Sequence, residues 1–277
     1  MAPPSESRSK RSSRRARSRR TALSSVANAM RLLKAFTDED YELGASELAK
    51  RLGLAKSTVF RLASTLVEER ILEQNARDGR YRLGLVVFEL GSLVRRKMDV
   101  SAEARPVLRA LMEKTGETAH LAVLDHRSAI YTNRVESRQA IRTAYGLGTR
   151  APLHCTALGK ALLAFQAKDF IEEVIDEGLP RRTEKTVTGA QALRQDLAAT
   201  RARGYAIEDE ESEIALRSIA AAVYDDTGRT VASIGISGPA HRLTRKALLA
   251  YSSDLTAAAE AISQRLGYQP QQQRRRA

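Results

Sequence analysis

Residues 46–70, SELAKRLGLAKSTVFRLASTLVEER, constrain the fold more than any other stretch of this chain. Apolar residues recur at helical spacing on both sides of Gly53, with Leu48, Ala49 and Leu52 before it and Val59, Leu62, Ala63 and Leu66 after it. A helix-turn-helix needs an inward apolar residue on each helix, a small residue at the turn, and polar donors where the second helix starts. Gly53 and Lys56-Ser57-Thr58 meet the last two demands, and the spacing predicts a second helix over about 56–70. Upstream, Ser24-Ser25 cap a helix whose apolar positions are Val26, Ala29, Leu33 and Phe36. Downstream, Ile71-Leu72-Glu73 and the run from Arg80 to Leu83 flank Asp78-Gly79, a strong hairpin signal. Three helices and a hairpin make a winged helix-turn-helix over residues 22–84.

The rest of the chain reads as a larger, mixed domain. Residues 85–100 form an apolar-faced linker helix (Leu85, Val86, Phe88, Leu90, Leu93, Val94), and such a stripe needs a partner, for which a second subunit is natural. A helix from about Ala102 to Thr115 follows, with Pro106 tolerable only near its start and Gly116 ending it. Strands are predicted at 118–124, 128–135 and 139–145, and helices at 157–165, 169–177 and 190–203. Strands return at 205–209, 217–224 and 230–237, before a closing helix over 244–266. Hairpin-joined strands with helices against them give an α+β domain built on an antiparallel sheet, spanning 101–267.

The formal charge of +13 sits largely at the ends. Residues 1–20 hold eight Lys/Arg against Glu6 alone, and Arg274-Arg275-Arg276 add three more. Residues 1–21 therefore read as a disordered basic arm and 268–277 as a disordered tail. An arm of this kind attracts polyanions through counterion release, or simply solubilises the chain. No apolar run follows the charges, so it is not a secretory signal, and no stretch approaches the ~20 apolar residues of a membrane span. A lone Cys155 excludes an intrachain disulfide and a cysteine metal cluster. The expectation is a cytoplasmic protein with no membrane, cofactor or metal partner.

Within the winged helix, Ser57 and Thr58 can bond a phosphate or base, and Arg61, one turn on, can reach guanine with two hydrogen bonds. Lys56, Ser64 and Thr65 extend the exposed face, and Arg77, Arg80 and Arg82 on the wing can meet phosphate or the minor groove. A winged helix used for protein contacts shows the same pattern. Residues 22–84 carry ten Lys/Arg and nine Asp/Glu, but the acids lie mostly at 38–42 and 68–73, away from Lys56–Arg61.

Several motifs in order resemble one family. They are SVANAMRLLKAF (25–36), the 46–70 stretch, GRYRLG (79–84) and, more strongly, ARPVLRALMEKTGETAHLAVLD (104–125), PLHCTALGKALLAF (152–165), RGYAIEDEE (203–211), RSIAAAVYDDTGR (217–229) and SIGISGPAHRLT (233–244). The chain is similar over about 24–267 to the IclR family of bacterial transcriptional regulators. The resemblance implies a winged-helix dimer, joined by a linker helix to a GAF-like effector domain. It further implies a homodimer or dimer of dimers on double-stranded DNA with a pseudo-palindromic operator. Such a protein, more often a repressor, controls catabolic genes in response to a small metabolite, often a carboxylate. The family's effector-binding positions fall on His154, Cys155, Thr156, Ala157, Leu158, Glu208, Asp209, Ser218, Gly235 and Ser237. Many members have Cys at 218 and Ser at 235, which implies a roomier pocket near Gly235.

Beside the resemblance, a helix starting at Thr156 offers free backbone N–H groups to a carboxylate. Thr156, Ser218 and Ser237 can add hydrogen bonds, and Glu208 or Asp209 can accept a ligand hydroxyl or amine. Thr156 serves equally well as a helix cap, Cys155 reads as a buried filler rather than a nucleophile, and His154 and His120 as core or solvated residues rather than metal ligands. No nucleophile elbow, Walker loop, HExxH or dinucleotide fingerprint is present, so the chain is not read as an enzyme. The competing classes are an architectural protein driven by its basic arm, or an enzyme carried to DNA by its N-terminal module.

Overall fold

The computed structural model describes residues 25–37, 39–96, 99–139 and 145–269, in two units, one ending at Val94 and the other beginning at Arg95. The expected arm at 1–21 and most of the expected tail lie outside the described residues. Tyr268, at the tail's start, stacks on Tyr224 with ring centres 5.1 Å apart.

In the first unit, helix α1 (25–33) precedes α2 (Ala45–Leu52) and α3 (Lys56–Glu68). Gly53 closes α2 at φ +65°, left-handed backbone that a side chain disfavours, and this turns the chain into α3. Strands β1 (Leu72–Gln74) and β2 (Tyr81–Leu83) pair antiparallel across the Asp78-Gly79 turn. Leu43 joins their sheet through two 2.9 Å backbone hydrogen bonds with Tyr81. The core beneath is Leu32, Leu43, Leu48, Val59, Ala63, Leu72 and Tyr81. Leu32, absent from the expected apolar stripe of α1, is fully buried, whereas Val26 is exposed. Helix α4 (Leu85–Arg96) leaves Leu85, Phe88, Leu90 and Leu93 exposed.

The second unit starts with α5 (Asp99–Thr115), which begins before the expected helix and so puts Pro106 in its interior. A proline there withholds an N–H from the helix ladder. The carbonyl left without that donor is Ala102's; beside it, the Ser101 carbonyl accepts a 2.8 Å bond from Asn133 Nδ2, which ties this first part of the helix to the body of the unit.

Strands β3 (Thr118–Asp125), β4 (Ser128–Val135), β5 (Arg150–Pro152), β6 (Ala206–Asp209), β7 (Leu216–Tyr224) and β8 (Thr230–Pro239) form one antiparallel sheet in the order β5-β4-β3-β8-β7-β6. Residues 140–144 of the expected 139–145 strand lie outside the described residues, and Tyr145 is not in a strand. The short β5 was not foreseen.

Alternation divides the sheet's residues between two faces. Leu121, Ile219, Ile234 and Ile236 pack against α5 and α9 (Arg245–Arg265). On the opposite face, Ala122, Ala129, Ala206 and Ala220 are small enough to admit α6 (Ala157–Leu163), whose every residue is buried. Helices α7 (Lys168–Asp176) and α8 (Ala190–Arg203) extend that layer.

Candidate DNA-reading face and effector site

Helix α3 is anchored on one side by Val59 and Ala63, both fully buried. Its other side therefore faces solvent, with Lys56, Ser57 and Arg61 exposed and Thr58 and Ser64 partly buried. Lys56, Arg61 and, on the wing, Arg77 have no carboxylate partner among the described residues. Three expected contact residues are committed elsewhere. Thr65 Oγ1 donates back to the Arg61 carbonyl at 3.1 Å. Arg80 donates to the Glu42 carbonyl at 3.1 Å and lies 3.5 Å from Glu47. Arg82 bonds Glu73 at 3.0 Å and reaches Glu42 at 3.4 Å. These two arginines brace the wing, so each has to give up an ion pair before it meets phosphate. Phe60, not singled out from the sequence, is 56% exposed on the same helix.

In the second unit the sheet face under α6 carries polar residues at one end. The register places Ser218 opposite both Glu208 and Ser237, and Gly235 opposite His120 and Ala220. His120, Glu208, Ser218, Gly235 and Ser237, with Leu158 of α6 and with Tyr131 and Tyr145, line a cavity of about 10 Å³, room for about one water.

The Glu208 carboxyl is 2% exposed and accepts from the hydroxyls of Ser212 and Ser218 and the Ser212 backbone N–H. No cation among the described residues bonds it, and burial pushes its pKa up. His120 Nε2 lies 2.8 Å from Ser237 Oγ, while its Nδ1 is buried without a hydrogen-bond partner. Burial, aided by the Arg134 charge, pulls the imidazole down to about 3 and keeps it neutral. Tyr131 packs edge-on to His120 and stacks on Tyr145 at 5.1 Å.

Leu158, Glu208, Ser218, Gly235 and Ser237 thus converge, and the other expected effector positions do not line this cavity. Thr156 Oγ1 is used twice, donating to the Pro152 carbonyl at 2.8 Å and accepting from Gly159 N at 3.1 Å, so it caps α6. Ala157 is core. Cys155 is fully buried, and burial pushes its thiol up to about 12, the behaviour of a filler. His154 Nε2 meets the Pro180 carbonyl at 3.2 Å. Asp209, one residue after Glu208, points to the other face, where Arg217 at 2.5 Å and Arg245 at 2.9 Å hold it.

The expectation of extra room at Gly235 is also corrected. A β-carbon there would stand 2.5 Å from the Ile219 carbonyl oxygen, so the glycine answers close strand approach rather than opening the pocket.

Missed from the sequence were Tyr131 and Tyr145, and the Lys160 cluster behind α6. Lys160 is fully buried, with Nζ 2.7 Å from Asp196 and 2.8 Å from Glu211. A lysine amid six apolar or small residues of one short helix was the available signal.

Comparison with known proteins covers both units. Residues 93–264 match the family described as bacterial transcriptional regulator IclR C-terminal, and residues 25–76 match the IclR helix-turn-helix domain. The HTH-type transcriptional regulator KdgR of Escherichia coli is 36% identical over 249 residues, 89% of this chain and 94% of that protein. The transcriptional repressor IclR of the same organism is 31% identical over 242 residues, 86% and 88% of the two chains. Among solved structures, an IclR homologue from Microbacterium hydrocarbonoxydans complexed with 4-hydroxybenzoate superposes with a TM-score of 0.78 at 28% identity, covering 87% and 98%.

Proposed function

The chain belongs to the IclR family of bacterial transcriptional regulators, and from that premise we propose how this regulator reads DNA and senses its effector. It is a DNA-binding regulator with an N-terminal helix-turn-helix and a C-terminal IclR effector domain. In our reading, α3 enters the major groove with Lys56, Ser57 and Thr58 at its start and Arg61 on guanine, while Arg77 meets phosphate. The exposed apolar residues of α4 pair two copies, and the two-fold dimer binds a pseudo-palindromic operator with half-sites about one helical turn apart. The protein acts in the cytoplasm and represses a catabolic operon until the effector arrives.

The effector is a small carboxylic acid carrying a hydroxyl group, held between α6 and the sheet. The observation that supports this is Glu208, a buried carboxyl satisfied only by hydroxyls and one N–H. Desolvating such a group is costly, and a ligand hydroxyl gives it a further donor. Tyr131, Tyr145 and Leu158 offer apolar walls suited to a ring, in keeping with the aromatic acid bound by the Microbacterium relative. Because the cavity holds about 10 Å³, ligand binding selects an expanded arrangement, and its differential affinity for that arrangement is what shifts the DNA-binding equilibrium.

The test is a thermal-shift screen with 4-hydroxybenzoate, benzoate and an aliphatic hydroxy acid, followed by operator retardation with any stabilising compound. Stabilisation by the hydroxylated acids and loss of specific retardation in Arg61→Ala support both halves. Unchanged affinity in Arg61→Ala removes α3 as the reading helix.

A further inference from the structure

We propose that Phe60 is a base-reading residue, seating the C5 methyl group of a thymine within one base step of the pair read by Arg61. The inference rests on α3 being the helix that contacts bases.

Phe60 is 56% exposed and takes no part in the core around Leu48, Val59 and Ala63. It is the one large apolar side chain exposed on α3 among the described residues. Its neighbours Val59 and Ala63 are fully buried, so the backbone that carries it is fixed, and it lies on a stripe with Ser57, Arg61 and Ser64 at helical spacing. A phenyl ring in the polar, cationic face that meets the groove is apolar surface that a contact with a base would remove from water.

The chemistry of the groove selects the contact. Base edges in the major groove present hydrogen-bond donors and acceptors and a single apolar group, the thymine methyl. A phenyl ring has neither donor nor acceptor, so the methyl is its match. Position follows from helix geometry: residues 60 and 61 differ by only about 1.5 Å along α3 but project about 100° apart, and successive bases are about 3.4 Å apart, so with the face between them toward the groove their side chains diverge onto neighbouring pairs. A thymine beside a guanine is therefore expected in each half-site.

The full chain selects its preferred duplex from a random-sequence library, and each thymine of the selected half-site is then replaced by deoxyuridine, which removes only the methyl. At one thymine next to a guanine, wild-type binding weakens about fourfold, the worth of one methyl in an apolar contact. Phe60→Ala binds the thymine duplex about fourfold more weakly and no longer distinguishes deoxyuridine there, while Phe60→Leu still does. The slope of log Kd against log salt is unchanged in Phe60→Ala, since no phosphate contact is lost.

The wild-type scan needs no variant, so it decides even if Phe60→Ala fails to fold. A response to no thymine overturns the proposal, as does a Phe60→Ala protein that still senses the methyl or that loses self-association instead. If Arg61→Ala abolishes selection while no thymine responds, the proposal fails and the reading of α3 stands. If both variants bind as wild type does, the reading of α3 fails and the proposal with it.

Discussion

Lys160 Nζ lies 2.8 Å from Glu211 Oε1 and 2.7 Å from Asp196 Oδ2, on a helix otherwise made of apolar or small residues. Burial opposes the ammonium, but the two carboxylates outweigh it and hold its pKa above the usual lysine range. The contact ties α6, whose Leu158 lines the cavity, to α8 and to the segment after β6.

Removing that charge leaves Glu211 without its cation and Asp196 with Arg203 alone, 3.5 Å away. Lys160→Met is expected to destabilise the protein by about 3–5 kcal/mol, the range for breaking a buried pair from one side. Denaturant unfolding measures it, and an unchanged midpoint would show that the triad contributes little.

His120 makes stability depend on pH. Its folded pKa is depressed from 6.5 to about 3, so the unfolded chain takes up a proton that the folded one refuses. The contribution is complete above pH 6.5 and is lost as pH falls from 6.5 toward about 3, by at most ~1.4 kcal/mol per pH unit. Melting temperatures of wild type and His120→Gln across this window should converge as pH falls; parallel profiles would contradict the assignment.

Ser218 donates to Glu208 from the sheet side of the cavity. Ser218→Leu fills the remaining space and removes that donor. Operator affinity without effector should match wild type, while effector-induced release disappears; retained induction would place the effector elsewhere.

The wing arginines separate by partner. Arg77→Ala should weaken binding to all duplexes alike and lower the salt slope by about 1. Arg82→Ala, which breaks contacts with Glu73 and Glu42, should leave that slope unchanged and lower the unit's thermal stability. A reduced slope in Arg82→Ala would show that its ion pairs open on DNA.

The winged helix was legible because its information is local. Helical periodicity, Gly53 and the Asp78-Gly79 turn act within a few residues of themselves, and α2, α3, β1 and β2 formed where that pattern put them. Periodicity failed at α1, where Leu32 rather than Val26 is buried. It failed again at Pro106, which local rules would set at a helix start and which lies inside α5. In the effector domain, motif order picked out Glu208, Ser218 and Ser237, which line one cavity. It also gathered Asp209 and Thr156, which alternation and capping send elsewhere.

The sequence by itself determined the elements, their order and which faces are apolar, because those depend on covalent spacing and the hydrophobic effect. Only the tertiary structure decided which donors of the reading helix remain free. An ion pair such as Arg80 with Glu47 joins residues 33 positions apart, and nothing in the chain's local pattern specifies it. The two-helix pattern of residues 46–70 keeps Lys56, Ser57 and Arg61 exposed, with Phe60 beside them, while on the wing Arg80 and Arg82 are engaged with carboxylates.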